Sequence, residues 1–184
     1  ESVKIKDLIN GVIIQSGNDA CIVLAEGLAG TEENFAELMT IRAKEIGLTN
    51  SNFKNSTGWP DTDHKMSSKD LVTLATKIRE KFPSYYKIFK DLEFTWDGIS
   101  QRNRNPLLSM NLGADGLKTG YTDEAGYGLI ASVEQKERRI TFVITGLKSI
   151  GQRAREAKGI TTWAFKKFRL KTYFKKNGVI LEAP

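Results

Sequence analysis

Two short runs hold the side chains that could do chemistry together. Ser16-Gly17-Asn18 offers a hydroxyl and a carboxamide two residues apart, and Lys118-Thr119-Gly120 offers an ammonium, a second hydroxyl and a bare backbone position. Acyl transfer from a peptide that ends in a carboxylate uses such a set. A hydroxyl and an amide position the scissile bond, a cation attends the acid end, and a strand edge carries the substrate. Glycine at 120 leaves room for that approach. Each tripeptide alone carries little information, because three-residue patterns recur by chance.

The surrounding text makes the pair specific. Gly11-Val12-Ile13-Ile14-Gln15-Ser16-Gly17-Asn18-Asp19-Ala20, Asn103-Arg104-Asn105 and Gly116-Leu117-Lys118-Thr119-Gly120 resemble the low-molecular-weight penicillin-binding proteins, the serine-type D-alanyl-D-alanine carboxypeptidases. Gly126-Tyr127 and Arg153-x-x-Glu156 ahead of Thr162-Trp163 fit the same pattern, and the likeness runs from about residue 5 to residue 175. β-Lactamases usually carry Asp where Gly17 stands.

The resemblance implies roles. Ser16, Asn18 and Lys118 are the catalytic set: Ser16 relays a proton between a catalytic lysine and the leaving amine, Asn18 holds the substrate amide, and Lys118 supplies charge and orients Ser16. Gly17, Thr119, Gly120, Tyr121 and Arg153 form the substrate side. The Thr119 hydroxyl takes the terminal carboxylate with Arg153 behind it, and the backbone N–H of Tyr121 is half of an oxyanion hole. Without the resemblance, Arg153 reads as a charge on the surface of a helix. The implied substrate is a peptidoglycan pentapeptide ending in D-Ala-D-Ala, with β-lactams as its mimics and no cofactor. The implied place is the bacterial cell envelope outside the cytoplasm, with peripheral membrane contact in the intact protein.

One element of the family pattern has no match. The family's nucleophile is the Ser of a Ser-x-x-Lys motif ahead of Ser-Gly-Asn, and the fifteen residues before Ser16 contain none. Ser51-x-x-Lys54 and Ser84-x-x-Lys87 match by letter but lie on the wrong side of Ser16. The reading is therefore of part of a D,D-carboxypeptidase, not itself acylated by penicillin. A β-lactamase-like relative and a non-catalytic wall-binding module are the alternatives.

The elements that must hold these runs follow from periodicity. Leu8, Ile9, Val12 and Ile13 make a helical stripe over 7–15, and 20–29 is apolar on nearly every side, as a buried helix is. Cys21 falls on that helix and reads as core. Thr31 can cap a helix that Gly47 ends, and Ser67 can cap another with Asp70 at the capping-box position. A short helical segment follows Pro83. Asp97-Gly98 between Phe94-Thr95-Trp96 and Ile99 is a hairpin signal, and 100–116 reads as irregular. Residues 117–122, 127–133 and 139–147 read as strands, the last two a hairpin about a turn at 134–138. A helix over about 151–167 turns Ala157, Ile160, Ala164 and Phe168 inward, and Val179-Ile180-Leu181 starts another strand.

Helices, then strands, then a helix give an α+β fold: an antiparallel sheet with flanking helices, of the penicillin-binding-protein and β-lactamase kind, incomplete at the N-terminus. Residues 1–176 are expected to be a partial D,D-peptidase domain, and 177–184 the start of a truncated C-terminal β domain.

Composition excludes other classes. One Cys rules out an internal disulfide and a multi-Cys zinc site, and one His rules out a His-clustered metal centre. No apolar run reaches membrane-spanning length, and Glu1-Ser2-Val3-Lys4 does not open a signal peptide. The net charge of +6 suits an acidic partner such as a polyanionic wall, and its clearest cluster is Lys166-Lys167, Arg169, Lys171 and Lys175-Lys176. No recognition motif accompanies it, so nucleic acid is not expected. Gly126-x-Gly128-x-x-Ala131 is a loose dinucleotide pattern that falls on an expected strand, where the fingerprint needs a helix. Asn55-Ser56-Thr57 is a glycosylation sequon by letter only. His64, in a polar loop without an elbow motif, reads as solvated.

Overall fold

A computed structural model describes residues 2–169 and 171. The expected strand at 179–181, the boundary after 176 and Lys175-Lys176 lie outside the described residues. Helix α1 (Ile5–Asn10) runs directly into a π-helical turn (Gly11–Gln15), then α2 (Asn18–Ala29) and α3 (Glu32–Glu45). Two-residue strands β1 (Ser51–Asn52) and β2 (Lys65–Met66) bracket a long loop. Helices α4 (Ser68–Lys81) and α5 (Pro83–Tyr86) and a 3₁₀ turn (Lys87–Lys90) lead to the hairpin β3 (Glu93–Trp96) and β4 (Ile99–Arg102). A second 3₁₀ turn (Pro106–Ser109) precedes strands β5 (Ala114–Thr122), β6 (Gly126–Gln135) and β7 (Arg138–Leu147), and helix α6 (Ile150–Lys167) follows.

Strands β5, β6 and β7 form an antiparallel sheet in sequence order, with β6 central. Alternation on β6 sorts its side chains to two faces. Leu129, Ala131 and Val133 pack with Leu107 and Ala157 beneath α6, joined by Phe142, Ile144 and Phe165. Ile130 points the other way, to a cluster of Ala75, Tyr86 and Leu117 with Ile78 and Phe89 beneath α4 and α5. Burying a side chain such as Leu129, 2% exposed, contributes roughly 1.5–3 kcal/mol. Ser132, on the Ile130 face, takes a hydrogen bond from Arg139, whose guanidinium also grips Asp115 at 2.7 Å. The sheet that carries Lys118 is thus packed on both faces, and β5 is one of its two edge strands among the described residues.

The local signals formed where they stand. Thr31 Oγ1 accepts the Asn34 N–H, and Ser67 Oγ accepts the Asp70 N–H. Asp97 and Gly98 both take positive φ, as a two-residue hairpin turn of the primed type requires.

Five expectations need correction. Helix α2 is not buried all round: Ala25 is inside, but Val23 and Leu28 are 51% and 71% exposed, because α1 and α3 cover only part of it. Asp70 does not close a capping box; its carboxylate accepts the Asn50 N–H at 2.8 Å and the Ser51 hydroxyl at 2.7 Å. The polar backbone of a buried crossing outbids the helix end. Phe168 is not on the inner face. It leaves the helix in extended conformation and stands edge-on to Trp163 at 5.1 Å. Residues 100–116 are not irregular throughout, since β4 runs to Arg102 and β5 begins at Ala114. Cys21 is half-buried rather than core.

Candidate active site

The Ser16 side begins with an unusual turn. The chain widens from α1 into the π-helical turn and ends at Ser16 in the left-handed region, φ 61° and ψ 43°. The Gly11 carbonyl accepts both the Ser16 and Gly17 N–H groups, the latter at 3.0 Å. A serine costs energy in that conformation, and these two bonds hold it. Gln15 Nε2 donates to the Phe94 carbonyl at 3.4 Å, so the β3–β4 hairpin braces the turn. Helix α2 starts at Asn18, two residues after Ser16. The Asn18 side chain is half-buried, and its amide makes no hydrogen bond among the described residues.

Strand β5 brings the other side. Lys118 Nζ donates to Ser16 Oγ at 2.8 Å and to the Thr119 carbonyl at 3.1 Å. Burial pushes the Lys118 pKa down to about 8; the Arg104 and Arg153 charges push the same way, and the Cys21 thiol opposes them. Cys21 lies one helical turn beyond Asn18, on the same face of α2, and its thiol is close enough to act on the Lys118 charge. Burial raises the Cys21 pKa, and Lys118 opposes that.

Thr119 pairs with Leu129 and Gly120 with Gly128 across the β5–β6 ladder. A Cβ at Gly120 would meet nothing within 4 Å, so the chain itself leaves room for at least an alanine there. Tyr121 is 55% exposed. Its hydroxyl donates to Asp123 Oδ1 at 2.5 Å, and its ring lies 4.3 Å from that of Tyr127.

Arg153 is not a surface charge. It sits in the first turn of α6, behind a helix start capped by Ser149, and only 5% of it is exposed. Its guanidinium lies 5.7 Å from the centre of the Tyr127 ring and donates from Nη2 to the Arg104 carbonyl at 3.5 Å, while Nε has no partner. Burial lowers its pKa, and the Arg104 charge adds to that. No ion pair among the described residues includes Arg104, Lys118 or Arg153. Three cations that act on one another without an ion-pair partner make a setting that favours an anion.

The structure therefore joins Ser16 to Lys118 directly and sets Arg153 within electrostatic reach of Lys118. Gly17 and Asn18 follow Ser16 in the chain, and Thr119, Gly120 and Tyr121 follow Lys118 on the strand. Sequence reasoning missed Arg104 as a site residue. Its only signal was its place inside Asn103-Arg104-Asn105, because nothing local says that this loop turns toward Lys118. Among the described residues, no three or more His, Cys, Asp or Glu side chains gather as metal ligands would, and no helix is long and apolar enough to cross a membrane.

The look-alike motifs are occupied elsewhere. The Ser51 hydroxyl is spent on Asp70, and Ser84 and Lys87 stand exposed on and just after the short α5. His64 Nδ1 accepts the Lys54 N–H at 3.3 Å with its ring edge-on to Phe53, and burial lowers its pKa. The Asn55 carboxamide oxygen caps its own loop, accepting the Gly58 and Trp59 N–H groups. The dinucleotide-like run lies within strand β6.

Comparison with known proteins identifies the family. The family profile for D-alanyl-D-alanine carboxypeptidase, peptidase family S11, matches residues 1–149. The D-alanyl-D-alanine carboxypeptidase DacC of Escherichia coli is 43% identical over 176 residues, which cover 95% of this chain and 44% of that protein. Among solved structures, penicillin-binding protein 5 of Haemophilus influenzae aligns with a TM-score of 0.87 at 37% identity, over 90% of this chain and 49% of the other. Penicillin-binding protein D2 of Listeria monocytogenes, in its ampicillin-bound form, aligns with a TM-score of 0.80 at 28% identity, over 88% of this chain and 68% of the other. The chain spans about half the length of the curated relatives it matches or less. With the profile matched over most of its length, the chain belongs to the D-alanyl-D-alanine carboxypeptidase family of S11 peptidases.

Proposed function

We propose that the full-length protein is a serine D-Ala-D-Ala carboxypeptidase that trims peptidoglycan stem peptides, and that β-lactams acylate it. The observation that carries this reading is the 2.8 Å hydrogen bond from Lys118, on an edge strand, to Ser16, among cations without an ion-pair partner. In this reading residues 1–176 are part of the D,D-peptidase domain. The acylated serine and its lysine belong to a Ser-x-x-Lys segment outside the 184 residues.

The steps balance as a hydrolysis. The serine oxygen bonds to the penultimate D-Ala carbonyl carbon, and the bond from that carbon to the terminal D-Ala nitrogen breaks. The serine's proton reaches the departing amine through Ser16, whose own hydroxyl proton is free because Ser16 accepts from Lys118. Water then attacks the ester, releasing the shortened peptide and restoring the serine. Asn18 and the β5 edge around Gly17, Gly120 and Tyr121 hold the peptide, with the Tyr121 N–H at the developing oxyanion. Thr119, Lys118 and Arg153 receive the terminal carboxylate. A fixed, partly desolvated cation pair suits an anion that arrives and leaves as free D-Ala. The substrate places the enzyme in the bacterial cell envelope outside the cytoplasm, with peripheral membrane contact, and the exposed Lys166 and Lys167 suit a polyanionic surface.

The test is release of D-Ala from a peptide ending in D-Ala-D-Ala, together with a labelled-penicillin mass shift, on the full-length protein. Both are expected. Loss of neither on Ser16→Ala and Lys118→Ala, or absence of both in the parent, overturns the reading.

A further inference from the structure

Asn105 is 3% exposed, an unusual place for a carboxamide unless each of its polar atoms is used. Here both are. Its Nδ2 donates to the Gly116 carbonyl of β5 at 3.0 Å, and its Oδ1 accepts the Leu107 N–H at 3.1 Å. Its own N–H is received by Asn103 Oδ1 at 3.0 Å. Asn103 in turn donates from Nδ2 to the Phe89 and Asp91 carbonyls at 3.2 and 3.0 Å, and its N–H goes to the Leu92 carbonyl at 2.7 Å. The two asparagines therefore bolt one residue, Arg104, between the 87–91 turn on one side and the strand carrying Lys118 on the other. Gly116, the receiving residue, lies two positions before Lys118 and is itself wedged: a side chain there would meet the Tyr86 hydroxyl at 3.1 Å and Phe89 Cβ at 3.3 Å. The Arg104 carbonyl completes the arrangement by accepting from Arg153.

We propose that Asn105 is a positioning residue for the site: its amide ties the Arg104 turn to strand β5, so that Arg104, Lys118 and Arg153 are held near one another. A buried amide bonded at both ends fixes a distance that an apolar side chain of similar volume would leave loose. Arg104 itself is exposed. Its aim is set by backbone anchored on both sides rather than by packing of its own side chain. The inference rests on the function proposed above only in giving the site a substrate; the clamp is a statement about this chain's geometry.

The groups that face Lys118 are Ser16 from the π-helical turn, Cys21 from α2, Arg104 from the clamped loop, Arg153 from α6 and the Thr119 carbonyl. Of these, Asn105 governs Arg104 directly. If the clamp is cut, the Arg104 turn is free to move away and a like charge is lost from beside Lys118, which then holds its proton more tightly.

The experiment reads Lys118 without using turnover. The full-length protein is trace-labelled with acetic anhydride across a pH series, and acetylation at Lys118 is followed by mass spectrometry. Parent protein is expected to give a midpoint near the value of about 8 set by its surroundings. Arg104→Ala should raise that midpoint by about half a pH unit or more. Asn105→Ala should raise it as well, and the double variant should move no further than the larger single shift. If Asn105→Ala fails to fold, Asn105→Ser takes its place, since the hydroxyl can still receive the Leu107 N–H but cannot reach Gly116. An unchanged midpoint in Arg104→Ala overturns the proposal outright. So does an unchanged midpoint in a folded Asn105 variant, which would make the residue merely structural. Additive shifts overturn it too, because Asn105 would then act on Lys118 independently of Arg104. D-Ala release by the parent, measured in parallel, reports on the proposed function alone: a parent that releases none sinks that reading and leaves the midpoints to decide this one.

Discussion

The Lys118 ammonium donates to the Ser16 hydroxyl across 2.8 Å, and 102 positions of chain separate the two residues. The donor is a cation on a packed strand, and the acceptor is a serine held in the left-handed region. That polarity leaves the serine's own proton as the one available to a substrate.

Catalytic efficiency of the full-length protein on a D-Ala-D-Ala peptide should fall on the basic side with a midpoint near the Lys118 pKa of about 8. The protonated form both donates to Ser16 and attracts the carboxylate. Lys118→Arg, charged at any working pH, should lower the plateau yet move the limb upward. A profile whose basic limb stays in place in Lys118→Arg would assign that limb to another group.

Lys118 should also cost stability at neutral pH. Its pKa in the folded chain lies below the ordinary 10.5. Below about pH 8 both folded and unfolded states hold the proton, and the full cost of burying the charge is felt. Between about 8 and 10.5 only the unfolded state binds it, so this group's contribution to stability rises with pH. Lys118→Met should therefore be more stable by about 1–3 kcal/mol at pH 7, with the difference closing toward pH 10.5. Urea titrations at several pH values measure it.

Arg153 is buried with an unpartnered Nε and no carboxylate. In the full-length protein Arg153→Met should lower efficiency on D-Ala-D-Ala peptides by roughly 10- to 150-fold, the worth of a charge-assisted hydrogen bond of about 1.5–3 kcal/mol. Acylation by β-lactams without a tight carboxylate fit should suffer less. Melting temperature should hold or rise, because a desolvated charge is removed. Kinetics within twofold of the parent would take Arg153 out of the site.

Gly120→Val separates packing from substrate approach. A Cβ there has open space around it, so stability should change by less than about 0.5 kcal/mol. Turnover should fall at least about tenfold, because the branched side chain stands where the peptide must lie along β5. Unaltered kinetics in a folded variant would place the substrate elsewhere.

Asp70 should report on acid stability away from the site. The Ser51 hydroxyl, with help from the Asn50 N–H, holds its pKa below the ordinary carboxylate value of 3.8. A depressed carboxyl stabilises the fold above its unfolded pKa, and that stabilisation is lost as pH falls through the folded one. The melting-temperature gap between parent and Asp70→Asn should be widest above about pH 4 and close in more acid solution.

What the sequence by itself determined was local. Thr31 and Ser67 capped their helices and Asp97-Gly98 turned its hairpin, because each signal involves groups within a few residues of one another. The strand runs and the antiparallel order of the sheet were legible from alternation, and the pairing of Ser16-Gly17-Asn18 with Lys118-Thr119-Gly120 from family resemblance rather than from any local force. Tertiary structure decided the rest. Asp70 had a local partner within reach but turned to the buried Asn50–Ser51 crossing, which no spacing rule describes. Arg153 was placed at the site by the resemblance alone, and its burial, at 5% exposure, is a product of how α6 packs on the sheet. Arg104 and Cys21 act on Lys118 although 14 and 97 positions of chain separate them from it, a proximity that only the tertiary structure creates. Charges and hydrogen bonds at the site act across space between segments up to a hundred residues apart, and chain closure, not local propensity, sets those distances.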